Sequence, residues 1–361
     1  MKLWLKVFLA NWIVNILLVE FLGLRKLKPI FKSDEKTDEK YHAFRRLDKR
    51  WFSRPFLYML CHLTLLRVFL AFFALFGMAT VCNIASIGWD MSKPYTGWRK
   101  KLTTRAAFLT GWWISLMTTG SLKLWKSKPK VCYKKYLGPD WKPDYDTTRC
   151  GTIVANHQSF IDTMLHSQCQ IPSFIAKKEV KDIPFINTCC ISAQCIFVDF
   201  SSRENRQRVA EQIQERQRQC EENPDLVPLI IHVEGGTTNG RYLINFKKGA
   251  FASLRSIQPV VHKYHSSFQS ASSGVLDGLP HYMINGSNFF TTIERVELPV
   301  FRPNDYFFEH HQQEGEEKWQ TYLRVVRSLM SEHGDLPLSD LSIEDKTAYK
   351  NLLFPKKQKK L

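Results

Sequence analysis

The stretch VANHQSFIDTML, residues 154–165, places a histidine just beyond a short apolar run and an aspartate shortly after it. A neutral imidazole can take a proton from a hydroxyl near neutral pH. A carboxylate beside it fixes its tautomer and stabilises the imidazolium that forms. His157 and Asp162 are therefore the candidate catalytic pair. On one continuous helix these two positions point in different directions, so the pair requires His157 to lie outside the helix and fold back over its first turn. Ser159-Phe160-Ile161-Asp162 also matches a capping box, a purely structural use of the same aspartate. Taken alone, this spacing is a weak signal.

A second constellation is HVEGGTTNGRYLINFKKGAF, residues 232–251. An apolar run ends in Glu234-Gly235-Gly236, followed by Thr237, Thr238, Asn239, a third glycine and Arg241. Glycines let a backbone approach a ligand and present N–H groups to an anion. Lys247 and Lys248 add positive charge. A glycine-rich turn with a solvated basic face has the same composition.

These residues need strands and helices to hold them. Short β-rich runs predict strands at Thr152–Ala155, Ser173–Ala176, Ile196–Asp199, Pro228–Val233, Ile257–Tyr264 and Thr291–Val300. Helical periodicity lies between them, at 159–169, 178–192, 204–221, 246–254 and 316–332. This alternation predicts an α/β fold, a mixed and largely parallel sheet flanked by helices.

The first 125 residues read differently. Residues 3–24 are apolar apart from Lys6, Asn11, Asn15 and Glu20, with no small-residue cleavage site after them, which predicts an uncleaved anchor or interfacial helix. Residues 25–54 are highly charged. Val68 to Gly88 is free of charge and long enough to cross a bilayer, and Arg67 before it would have to snorkel or pair. A third apolar segment, Ala106–Leu122, carries Trp112 and Trp113. Lys and Arg clusters flank residues 55–89 on both sides, which predicts a helical hairpin or monotopic anchor with both flanks cytosolic. The expected division is a membrane-anchoring region at 1–125 with its charged loop at 25–54, a catalytic domain at 126–335, and a C-terminal extension at 336–361.

The net charge of +17 implies attraction to phosphate. The basic residues flank apolar runs, which points to lipid rather than nucleic acid, and no nucleic-acid-binding signature is present. Nine cysteines without regular spacing predict reduced thiols and a cytosolic domain. No G-x-S-x-G nucleophile elbow and no HExxH zinc pattern occurs, so the reading carries no metal.

Asn156-His157-x-Ser159-x-x-Asp162 followed by Glu234-Gly235-x-Thr237-x-Asn239 resembles the glycerolipid acyltransferase family (PlsC-like). The lysine-rich segment 174–186, which contains Lys177 and Lys178, the run 194–200 and the strand 257–264 resemble further blocks of that family in the same order. The segments 246–251 and 336–350 are most similar to its lysophospholipid acyltransferase branch, such as lysophosphatidylcholine acyltransferases. The resemblance covers roughly residues 90–350 and implies transfer of a fatty acyl group from acyl-CoA to a glycerolipid hydroxyl, without a cofactor beyond that co-substrate. By resemblance His157 is the general base and Asp162 its partner. Glu234 and Gly235 belong to the acceptor site, and Thr237, Thr238, Asn239, Arg241, Lys177 and Lys178 complete the expected substrate-binding set.

Departures from the family pattern bear on the acceptor. Phe200 and Thr237 stand where phosphatidate-forming relatives carry arginine, Val233 replaces a proline, and Gly236 is unusual within the branch. A phosphodiester carries one charge and gains less from an arginine fork than a phosphomonoester does. The expected acceptor is lysophosphatidylcholine or lysophosphatidylethanolamine. Lysophosphatidate or glycerol 3-phosphate is the nearest alternative, and a catalytically silent membrane scaffold a distant one. The expected partners are acyl-CoA, lysophospholipid and membrane lipids, with no protein partner. The expected location is the endoplasmic reticulum membrane, and Lys357-Gln358-Lys359-Lys360-Leu361 resembles a retrieval signal for it.

Overall fold

The computed structural model describes residues 2–199, 202–266 and 268–355. Phe200 and the tail Lys357–Leu361 lie outside the described residues.

Seven strands form one sheet in the order β1-β7-β6-β2-β5-β3-β4. They are β1 (Leu124–Ser127), β2 (Thr152–Ala155), β3 (Ser173–Lys177), β4 (Ile196–Val198), β5 (Leu229–His232), β6 (Ile257–His265) and β7 (Thr292–Glu297). Every neighbouring pair is parallel except β6 with β7. The mixed, largely parallel sheet flanked by helices is thus the fold of the domain. The central strands are covered on both faces: all of β2 is buried, and so are the first six residues of β6, the polar Thr152, Gln258 and His262 among them.

In register, Ala155 of β2 lies opposite His232 of β5 and Val260 of β6. The carboxyl ends of β2 and β5 therefore finish side by side. That is where open α/β sheets gather their ligands, because the loops diverge there and leave a crevice. One face of the sheet rests on a core that includes Val154, Val261, Phe251, Phe301 and Tyr322.

Several elements depart from the expected ones. The pattern at 178–192 breaks into a 3-10 turn at Lys178–Asp182 and a helix at Ile186–Ser192, because Pro184 interrupts the hydrogen-bond ladder. The expected helix at 246–254 is only a short turn, Lys248–Ala250. The edge strand β1 and the helices Gly278–Asn285, Asp305–His311 and Ile343–Leu353 were not among the expected elements.

The N-terminal helix runs on through residues 25–31 to Phe31, so the charged loop begins later than expected. Among the described residues, Leu3–Phe31 and Arg54–Ser86 are long and apolar enough to cross a membrane by length and composition. Asn15, Glu20 and Arg67 find partners within the protein. Asn15 Oδ1 accepts from the Leu65 N–H at 2.7 Å, and the Tyr58 hydroxyl donates to Glu20 at 2.7 Å. Arg67 donates to the carbonyls of Gly286 and Asn288 at 3.1 and 2.7 Å, which ties its helix to the segment before β7. Phe69, Phe72, Phe73 and Phe76 remain exposed on that helix.

A second core joins the two ends of the chain. Val19, Leu24 and Ile30 pack in one cluster with Ile244, Tyr349 and Leu353. The Tyr41 and Tyr349 rings stack at 4.9 Å, and the Tyr349 hydroxyl donates to Asp38 at 3.0 Å.

Candidate active site

Asn156 ends β2 by pairing with β6. Its side chain accepts from the His262 N–H at 2.8 Å and donates to the His262 carbonyl at 3.0 Å. The strand cannot continue past that lock, and His157 swings out at its end. Glu234 accepts the His157 N–H at 2.6 Å, and the Thr238 N–H donates to the His157 carbonyl at 2.8 Å. Both backbone polar groups of His157 are therefore held by the loop that follows β5.

The His157 ring does fold back over the start of the helix Ile161–Ser167. Nδ1 lies 2.7 Å from Asp162 Oδ2. The same oxygen accepts from the backbone N–H groups of Gln158 and Ser159 at 2.7 and 3.0 Å, so the capping contact to Ser159 and the histidine contact are made by one carboxylate. The Tyr264 hydroxyl donates to the other oxygen at 2.5 Å. Asp162 is fully buried. Burial pushes its carboxyl up, but the hydrogen bond with His157 outweighs it and holds the group below the usual carboxylate range. An ionised Asp162 requires a proton on Nδ1, which leaves the Nε2 lone pair of His157 as the free acceptor on a ring that is still partly open to solvent.

Other histidines gather behind this pair. His232 stacks on His157 with ring centroids 4.0 Å apart and planes 12° apart. Its Nδ1 lies 3.1 Å from the Asn156 carbonyl, and burial lowers its pKa to about 3, so it is a neutral ring. Beneath it, buried Arg295 bonds to His166 at 3.0 Å, to His262 at 3.1 Å and to Glu297 at 2.7 Å. His157, Asp162 and His232 bring ligand atoms within 4.8 Å of one another. Parallel stacked rings direct their in-plane lone pairs side by side rather than to one point, so this trio does not suit a metal ion.

The expected substrate-binding residues divide into two groups. Glu234 is buried, and its oxygens accept from His157 and from the Ile244 N–H at 3.3 Å. Burial pushes its pKa up to about 8. Asn239 is buried and donates to the carbonyls of His42 and Arg45 at 2.7 and 3.1 Å. The Thr238 hydroxyl turns back on the His157 carbonyl at 3.4 Å. These three hold the site together, and their polar groups face protein rather than open space. Gly235 turns the chain in the left-handed region with φ of 74°. Thr237 donates to the Gly274 carbonyl at 3.1 Å.

Lys177 and Lys178 are exposed at the carboxyl end of β3, on the same rim as His157, and Lys178 pairs with Asp199 at 2.6 Å. Arg241 is exposed and lines a polar cavity shared with Trp51, Gln158, Lys263 and Tyr264.

Tyr264, His232 and Arg295 escaped the sequence reading. Tyr264 sits in a strand noted only for its place in the order of blocks, and contacts to Asp162 across two strands leave no local pattern. An apolar cavity of about 410 Å³ opens between the helices Thr64–Ser86 and Gly97–Thr119, walled by Phe72, Ile114, Met164, Phe174 and Cys195. Phe174 stacks on His232 at 6.0 Å, so the cavity ends against the histidine cluster.

Residues 146–263 match the family model "Acyltransferase". The chain is 31% identical over 202 residues to the lysophospholipid acyltransferase LPEAT1 of Arabidopsis thaliana, covering 56% of this chain and 49% of that protein. It is 29% identical over 260 residues to the lysophosphatidylcholine acyltransferase of Drosophila melanogaster, covering 70% and 43%. With lysophosphatidylcholine acyltransferase 2 of Homo sapiens the identity is 26% over 261 residues, covering 71% and 42%. The chain thus spans about half the length of the curated relatives it matches, or less. Among solved structures, the 1-acyl-sn-glycerophosphate acyltransferase PlsC of Thermotoga maritima aligns with a TM-score of 0.45 at 18% identity, over 75% of this chain and 94% of that one. The chain carries an acyltransferase-family domain over residues 146–263, and its resemblance is to the lysophospholipid acyltransferase branch of the glycerolipid acyltransferases.

Proposed function

We propose that this protein is a membrane-bound enzyme that moves a fatty acyl group from acyl-CoA to the free hydroxyl of a lysophospholipid, with lysophosphatidylcholine or lysophosphatidylethanolamine preferred. The observation that carries the reading is the 2.7 Å contact between His157 Nδ1 and buried Asp162, which leaves Nε2 free at the rim of the sheet. In the proposed reaction Nε2 removes the proton of the lysophospholipid hydroxyl as its oxygen attacks the thioester carbonyl. The tetrahedral oxyanion then collapses, the C–S bond breaks, and the CoA thiolate takes the proton back from the imidazolium. Asp162 stabilises the imidazolium between those steps. The base supplies all the proton transfers, so the reaction asks for no metal and no covalent enzyme intermediate.

The apolar cavity beside the histidines is of a size and character suited to an acyl chain. The exposed apolar residues on the helices Leu3–Phe31 and Arg54–Ser86 support a membrane seat, read here as a hairpin or monotopic anchor with the domain on the cytosolic face of the endoplasmic reticulum. The test is a side-by-side assay of the purified full-length chain with one acyl-CoA and matched acyl chains on each acceptor. Higher kcat/KM on the choline or ethanolamine lysolipid is expected. A tenfold advantage for lysophosphatidate, about 1.4 kcal/mol of transition-state preference, would overturn the acceptor assignment. Absence of turnover on every lysolipid would overturn the activity.

A further inference from the structure

The C-terminal helix Ile343–Leu353 lies directly on the Glu-Gly-Gly-Thr loop. A Cβ added to Gly236 would sit 2.2 Å from Ile343 Cδ1 and 3.3 Å from its Cγ1, so a glycine there is what lets the helix seat. One turn along, Lys346 reaches the same loop. Its Nζ donates to the Thr237 carbonyl at 2.7 Å and to the Thr237 hydroxyl at 2.6 Å. An ammonium has three N–H groups, and these two contacts occupy two of them.

The charge of Lys346 has no carboxylate partner among the described residues. The acidic groups near it are engaged elsewhere: Glu344 pairs with Lys247 at 2.7 Å, and Asp277 pairs with Lys350. Glu234 accepts two backbone N–H groups, and burial raises its pKa to about 8, so it offers little negative charge at neutral pH. Lys346 is itself partly buried, and desolvation lowers its pKa to about 8. A cation withdrawn from water normally finds a counter-charge. This one meets two neutral oxygens on a loop whose next residue, Thr238, holds the His157 carbonyl.

We propose that Lys346 is a specificity-determining residue that receives a phosphate ester of a substrate, with the third ammonium N–H and the positive charge completing the recognition. The assignment rests on the acyltransferase reading above. Both substrates of that reaction carry phosphate: the acceptor in its headgroup linkage, the donor in its CoA moiety. The shared chemistry is a phosphate oxygen held at the Gly236–Thr237 turn by an ammonium from the far end of the chain.

The experiment compares Lys346→Gln, Lys346→Met and Lys346→Arg in the full-length chain. Glutamine keeps a donor for the Thr237 carbonyl and removes only the charge. Methionine removes both. KM is measured for each substrate with the other saturating. Expected for Lys346→Gln is a rise of about tenfold in KM for one phosphate-bearing substrate with kcat within about twofold, and recovery in Lys346→Arg. A rise for the lysolipid assigns the phosphate to the acceptor, and a rise for acyl-CoA assigns it to the donor. Unchanged KM for both in Lys346→Gln overturns the proposal, as does a loss confined to kcat or to melting temperature, which marks a helix clasp. A binding arm that needs no turnover uses thermal-shift titration with sn-glycero-3-phosphocholine and with coenzyme A. If the unaltered protein turns over no lysolipid yet one of these probes stabilises it and not Lys346→Gln, the activity fails and the phosphate site stands. If turnover is normal and neither KM nor stabilisation depends on Lys346, the site fails and the activity stands.

Discussion

His232 lies flat against His157, 4.0 Å away, and its own ring is neutral. The stacked pair therefore offers the electron-rich face of one imidazole to the other at the moment the second becomes charged. Such a face is worth about 0.5–2 kcal/mol to a cation beside it. His232→Leu is expected to lower kcat by roughly 3- to 30-fold with little change in KM. His232→Phe keeps the aromatic face and should retain most of the rate. Equal losses in the two variants would show that the Asn156 contact matters and the stack does not.

His157→Ala removes the proton acceptor, and kcat should fall by about 10²- to 10⁴-fold while the chain stays folded. Asp162→Asn should also lose activity, and in addition it unsettles the turn, since Gln158, Ser159 and Tyr264 all donate to that carboxylate. Circular dichroism and a melting curve alongside the assay separate the two effects. Near-normal turnover in His157→Ala would end the general-base mechanism.

Glu234 makes stability depend on pH. Its folded pKa, about 8, lies above the usual glutamate value, so the folded chain holds a proton that the unfolded chain has released. The contribution is fully present below the unfolded value and is lost as pH rises through about 8, with a slope of at most about 1.4 kcal/mol per pH unit. Melting temperature should fall across that window, and Glu234→Gln should flatten the fall. Since glutamine offers one oxygen where the carboxyl offers two, the variant also starts from a lower melting temperature. An unchanged pH slope in Glu234→Gln would assign the dependence to another group.

Gly236→Thr puts a side chain where Ile343 now sits. The helix Ile343–Leu353 must shift, at a cost of about 1–3 kcal/mol for overpacking. Limited proteolysis should cut near residues 338–342 faster than in the unaltered protein. An unaffected cleavage rate would mean that Ile343 has another way to pack.

Much of the sheet was legible because β2 and β5 are short, largely apolar runs bounded by turn residues, and Thr152–Ala155 is strand β2 to the residue. The contact between His157 and Asp162 was legible for the same reason, since strand, loop and helix follow one another within a dozen residues. Two features were not. Lys247 and Lys248 look like the start of a helix by composition, but the Lys247 N–H bonds back to the Val233 carbonyl at 2.8 Å and holds the segment open. The missing arginine at position 237 was read as missing charge. Lys346 brings charge to that position from a helix more than a hundred residues away, a placement that only the fold creates. Glu234 and Asn239 were placed in the substrate-binding set by resemblance, and their burial was not legible. The His42 and Arg45 carbonyls of the N-terminal segment cover Asn239, while Glu234 is enclosed by the His157 and Ile244 backbone.

The shared core of Tyr41, Tyr349, Val19 and Leu353 has a temporal meaning. A chain emerging from the ribosome can lay down the N-terminal helices and most of the sheet early, but Gly236 and Thr237 receive their cover only when residues 343–353 have been made. The histidine is then present long before the turn beneath it is closed. A nascent chain stalled before residues 343–353 would carry His157 without the finished turn, so the docking of the helix Ile343–Leu353 is the step that completes this part of the fold.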